Sequence, residues 1–143
     1  MIKMEKELYT ANVNVEGGRE GHAVSSDGIL NVNMRVPKEL GGPGGDGTNP
    51  EQLFAAGFAA CFEGAIGVAL RKKSVKAEAI KIASKVTLGK DKDDGFVLAV
   101  KLDVTINGVE SGIAKQVVEE AHAICPYYRA VNGNIAVETN LVG

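Results

Sequence analysis

A chain of 143 residues is the size of one domain and can bury roughly two-thirds of the surface its unfolded form exposes. Its 16 basic and 18 acidic side chains nearly cancel, and no long run of one sign occurs, so there is no electrostatic footprint for nucleic acid or an anionic membrane. Two cysteines, Cys61 and Cys125, are too few for a secreted disulfide scaffold, and the charged opening Met1-Ile2-Lys3-Met4-Glu5-Lys6-Glu7 lacks the apolar stretch of a secretory signal. The expectation is a cytoplasmic protein, a single domain over residues 1–143, whose ligand is small and uncharged or another protein and whose cysteines cycle if they pair.

Tyr9, Ala11, Val13 and Val15 alternate with Thr10, Asn12 and Asn14, the period of a half-buried strand. A turn follows at Gly17-Gly18-Arg19-Glu20-Gly21. Beyond a second turn signal, Ser26-Asp27-Gly28, the residues Leu30, Val32, Met34 and Val36 alternate with Asn31, Asn33 and Arg35 as a further strand, ended by Pro37. Glycines and a proline crowd residues 41–47, a composition compatible only with a loop.

A helix start comes next. Asn49 suits the cap, Pro50 the first helical position and Gln52 the reciprocal partner of a capping box, while the anionic Glu51 suits the positive end of the helix dipole. The spacing predicts a helix to about Lys73. Its apolar stretch, Leu53 to Leu70, is barely long enough to span a bilayer and carries Glu63, so a helix buried in a protein core explains it with less strain. A helix apolar all round is unusual in so small a protein, which implies that a second copy of the chain covers one face in a homodimer.

Ile80, Ile82, Val86 and Leu88, then Phe96, Leu98, Val100, Leu102, Val104 and Ile106, alternate with polar residues on either side of a turn at residues 90–95, as a long hairpin with one wet face. Ile113, Val117, Ala121 and Ile124 recur at helical spacing, with Lys115, Glu119 and His122 toward the polar side. Cys125-Pro126 closes that helix, and Ile135, Val137 and Thr139 suggest a last strand. The order of elements points to an α+β fold with an antiparallel sheet.

Cys61, within Ala59-Ala60-Cys61-Phe62, reads either as a small inert core residue or as a nucleophile. Burial in an apolar helix raises a thiol pKa, so the second reading needs a cation beside it, and Arg19 in its glycine-flanked turn is a candidate. Cys125, at the negative end of its helix, is the poorer nucleophile; if Arg19 activates Cys61, then Cys61 attacks and Cys125 resolves. The pattern Gly42-x-Gly44-x-x-Gly47 matches a dinucleotide fingerprint in form but lacks the parallel crossover unit that gives it meaning. His122 and Cys125 offer zinc two ligands, with His22 in another segment, too few for a site, and His122, leaning toward the polar face, reads as a solvated histidine. Glu63 lies about 200° round the helix from Cys61 and reads as solvent-facing. No cofactor or metal is expected.

Several longer motifs stand in order along the chain: Gly17-Gly18-Arg19, Ser25-Ser26-Asp27-Gly28, Pro37-Lys38-Glu39-Leu40-Gly41-Gly42, Thr48-Asn49-Pro50-Glu51-Gln52-Leu53-Phe54-Ala55-Ala56-Gly57, Ala60-Cys61-Phe62, Cys125-Pro126-Tyr127 and Gly133-Asn134-Ile135. In these the chain resembles the organic hydroperoxide resistance proteins, of the family that also includes the osmotically inducible peroxidases. The resemblance implies antiparallel sheets packed around a long buried central helix, in an intertwined homodimer with a site at each end of the interface. It implies that a reactive cysteine, a resolving cysteine, an arginine and a glutamate meet there, roles that fall on Cys61, Cys125, Arg19 and Glu51. It also implies organic hydroperoxide substrates, including those of fatty acids, and a lipoyl dithiol, free or protein-bound, as reductant. Two positions depart from the family pattern: bulky Tyr128 and Arg129 follow Cys125-Pro126-Tyr127, and Glu63 stands where an uncharged residue or histidine is usual. A redox switch without turnover and a metal-binding module are the competing readings.

Overall fold

Turn chemistry organises the first fifty residues of the computed structural model, which describes residues 1–143. The chain divides into two units, residues 1–50 and 51–143. In the first, β1 (Val13–Glu16), β2 (His22–Ser25) and β3 (Asn31–Asn33) form an antiparallel three-stranded sheet in chain order. Between β1 and β2 the chain makes one turn of 3₁₀ helix, Gly18–Glu20, entered through Gly17 in the left-handed region at φ 76°. A Cβ on Gly21 would fall 1.6 Å from the Glu16 carbonyl oxygen, so only glycine fits where that turn closes. Glu20 ties the turn down: its carboxylate accepts the Val36 N–H at 3.2 Å, and its carbonyl accepts from the Arg35 guanidinium at 3.2 Å.

The first expected strand is shorter than its alternation suggests. Pairing begins at Val13, opposite Ser25, and Tyr9, Val13 and Val15 are all exposed, because nothing within this unit packs on β1. The expected strand at 30–36 pairs over Asn31–Asn33 and continues only as an isolated bridge from Met34 to Thr48. β2 lies in a segment for which alternation predicts no strand.

The second unit holds the hydrophobic core. α1 runs unbroken over Pro50–Lys72, close to the expected end. It buries Phe58, Phe62, Ala65, Ile66, Ala69 and Leu70, spaced by three and four along one stripe, and leaves Ala56, Ala60, Glu63 and Gly64 exposed on the other. The helix is long and apolar enough to cross a membrane, with 33% of its most apolar window buried within the chain. β4 (Ala79–Lys90) and β5 (Phe96–Asn107) pair over their full length, Lys85 opposite Lys101, as the long hairpin expected. Val100, Leu102, Val104 and Ile106 of β5 face the α1 stripe, together with Ala114, Val117, Val118 and Ala121 of α2 (Ser111–Ile124).

A short helix, α3 (Pro126–Val131), precedes β6 (Val137–Leu141), which joins β5 in parallel, Val100 opposite Val137. The sheets are otherwise antiparallel. Two helices intervene between β5 and β6, and such a crossover returns the chain in its original direction where a hairpin would reverse it. The architecture is α+β, two three-stranded sheets with one long helix.

Candidate active site

Cys61 and Cys125 meet inside the second unit. Cys61 lies half-buried on α1; Cys125 is fully buried at the corner where α2 ends and α3 begins. Pro126 enforces that corner, since it cannot continue α2 yet suits the first position of α3. The Cys125 thiol donates to Cys61 Sγ at 3.5 Å, and Cys125 Sγ accepts the Tyr128 N–H at 3.4 Å. Burial pushes the Cys125 thiol up to about 11, against the pull of that N–H contact and with a smaller upward push from Cys61. One sulfur is therefore a proton-bearing donor aimed at the other. Closing to a disulfide needs the sulfurs to approach by about 1.5 Å, to the usual bond length near 2.05 Å.

Aromatic rings wall this pair. Phe54 and Phe58, one turn apart on α1, meet edge to face at 5.9 Å, and the Tyr127 ring lies 6.1 Å from Phe54 and 5.8 Å from Phe58. Tyr127 reaches α1 because Gly57 offers no side chain: a Cβ there would stand 2.8 Å from the phenol oxygen. Gly57 is one turn before Cys61, so the phenol lies along the same face as the thiol. Phe62, adjacent in sequence, is fully buried.

His122 is not solvated, contrary to the sequence expectation. Its ring stacks on Tyr128 at 4.4 Å and 22° and lies 5.7 Å from Phe62, with Nε2 at 2.8 Å from Thr139 Oγ1 and Nδ1 at 3.6 Å from the Glu119 carboxylate. Helical periodicity puts it toward the polar side, and Tyr128 of α3, a helix that periodicity does not reveal, closes over it. Glu63 is exposed, as expected. Arg19 sits exposed in the 3₁₀ turn of the first unit, and Glu51 half-buried in the first turn of α1. Ten residues of unbroken helix put Glu51 about 15 Å along the axis from Cys61.

Two thiols at 3.5 Å against an aromatic wall, in an α+β chain, define a thiol-based redox protein. Residues 42–140 match the family described as OsmC-like protein, and the chain belongs to that family. The organic hydroperoxide resistance protein of Xanthomonas axonopodis pv. citri (strain 306) is 47% identical over 142 residues, 99% of each chain. Among solved structures, an organic hydroperoxide resistance protein from Legionella pneumophila is 42% identical at a TM-score of 0.90, covering 96% of this chain and 100% of its own. One from Bacillus subtilis is 40% identical at a TM-score of 0.86, covering 95% and 100%.

Proposed function

We propose that the protein is a cysteine-based peroxidase, one domain over its whole length, that reduces organic hydroperoxides, including those of fatty acids, to alcohols. The 3.5 Å contact of Cys125 with Cys61 carries the reading, in a chain whose relatives bear the name organic hydroperoxide resistance protein. Cys61 as thiolate attacks the distal peroxide oxygen. The S–O bond forms as the O–O bond breaks, and the departing alkoxide takes a proton from solvent to become the alcohol. Arg19 supplies the cation that favours the thiolate and the developing negative charge, and Glu51 grips its guanidinium at two points.

The sulfenic acid left on Cys61 then meets a Cys125 thiol that burial keeps protonated at neutral pH. The S–S bond forms, the S–O bond breaks, and the hydroxyl leaves with the thiol proton as water. A dithiol, lipoyl in character, reduces the disulfide by two exchanges and leaves itself oxidised. The Phe54, Phe58 and Tyr127 rings suit an alkyl or aryl peroxide better than hydrogen peroxide, because they offer apolar area and no hydrogen-bond acceptors beyond one phenol. A second copy of the chain covers the exposed small-residue face of α1, and the dimer works in the cytoplasm.

Purified reduced protein supplied with cumene hydroperoxide and excess dihydrolipoamide should consume many equivalents of peroxide per chain. Arrest after a single equivalent would favour a redox switch over an enzyme.

A further inference from the structure

Three rings connect the neighbourhoods of the two cysteines. Phe62 follows Cys61 on α1 and lies 5.7 Å from His122. His122, three residues before Cys125 on α2, stacks at 4.4 Å on Tyr128, three residues after Cys125 on α3. The Tyr128 N–H donates to Cys125 Sγ, and Thr139 of β6 holds the far nitrogen of His122 at 2.8 Å. At Cys125 the backbone is extended, φ −68° and ψ 116°, so no helical hydrogen-bond ladder runs continuously through the corner. The Tyr128 N–H on the sulfur, the packing of Tyr128 and Val131 on the core, and contact between side chains of the two helices hold α3 against α2 instead. The His122–Tyr128 stack is such a contact, between the residues three before and three after Cys125.

We infer that Phe62, His122 and Tyr128 are positioning residues for disulfide formation: their stack braces the α2–α3 corner so that Cys125 Sγ stays aimed at Cys61 Sγ once Cys61 has been oxidised. The inference rests on the peroxidase reading above. In the step it serves, the S–S bond forms, the Cys61 S–O bond breaks, and water leaves with the Cys125 proton. The brace touches neither peroxide nor the attacking sulfur, so it acts on the second step and leaves the first alone.

One equivalent of cumene hydroperoxide added to reduced full-length protein separates the steps, with sulfenic acid trapped by dimedone and disulfide counted by mass. In Tyr128→Ala and His122→Ala the first oxidation keeps its rate while disulfide formation slows about tenfold, the upper end of what one aromatic pair contributes. Trappable sulfenic acid then accumulates. Tyr128→Phe keeps the ring and recovers the wild-type rate. Thr139→Val releases the His122 ring without removing it and slows disulfide formation to a smaller degree, a result that does not depend on the ring deletions folding. Both steps slowed by one factor, or an unchanged ratio of their rates across these variants, overturns the brace. Wild-type protein that forms neither sulfenic acid nor disulfide overturns the peroxidase reading itself, a different result from an unchanged ratio.

Discussion

Cys125 Sγ lies 3.5 Å from Cys61 Sγ across sixty-four residues of sequence, yet the two sulfurs have unlike surroundings. Cys125 is sealed from solvent at a helix corner, while Cys61 keeps part of its surface open beside the Phe54, Phe58 and Tyr127 rings. Solvent reaches one sulfur and not the other. On the proposed mechanism, this unlike burial of otherwise identical groups divides attack from resolution.

Loss of either cysteine should therefore have different consequences. Cys61→Ser abolishes peroxide reduction, whereas Cys125→Ser permits one oxidation and leaves Cys61 as a sulfenic acid that dimedone traps. Mass spectrometry of the adducts decides: a trapped Cys125 in the Cys61 variant, with none in the Cys125 variant, reverses the assignment.

The Cys125 thiol should also leave a mark on stability against pH. Its pKa rises from an ordinary value near 9 to about 11 on folding, so the folded state holds its proton more tightly than the unfolded state does. Its contribution is full below pH 9 and is lost as pH rises through about 11. Urea titrations across that window should show the stability of reduced wild type falling more steeply than that of Cys125→Ala. Parallel curves for the two proteins would contradict the burial-driven shift.

Gly57 tests the aromatic wall. Gly57→Ala gains about 1 kcal/mol of helix propensity. The new Cβ meets the Tyr127 phenol oxygen at 2.8 Å, and the half-exposed ring has to swing off Phe54 and Phe58, forfeiting contacts worth about 0.5–1.5 kcal/mol each. Stability should change little, while turnover with cumene hydroperoxide falls. Tyr127→Ala in the same background relieves the clash, so the two substitutions should be non-additive in activity. Simple additivity would show that the phenol does not shape the site.

The long hairpin was readable because strict alternation over many residues has one structural solution, and β4 and β5 pair as that solution requires. α2 and the start of α1 were readable for the same reason, through periodicity and capping chemistry. α3 was not: six residues make too short a window for any period, and Pro126 reads equally as the end of one helix or the start of another. The misreading of His122 follows from that gap. The direction of β6 depends on how the chain returns, which local pattern does not encode. The cysteines were marked as a pair by their number and residue context, but their 3.5 Å approach is a property of the packed core and is written in no motif.

The geometry of α1 bears on whether one chain builds the complete site. Because the helix runs without a break from Pro50 to Lys72, no kink brings Glu51 back toward Cys61, and about 15 Å of axis separates them. That span is too great for one arginine to serve both directly. Two α1 helices crossing antiparallel near Ala56 would set Glu51 of one copy level with Cys61 of the other, and exposed Ala56, Ala60 and Gly64 are small enough for the backbones to approach closely. On this arrangement a Glu51→Gln chain and a Cys61→Ser chain are each impaired alone. In their heterodimer, however, intact Cys61 of the first faces intact Glu51 of the second. Random exchange of equal amounts makes half the dimers mixed, each with one restored site, so activity should recover to about a quarter of wild type. Recovery of that size, measured with cumene hydroperoxide after subunit exchange has been verified by mass, supports sites shared between chains. No recovery above the sum of the two parents, with exchange complete, would place Glu51 and Cys61 in service of different groups.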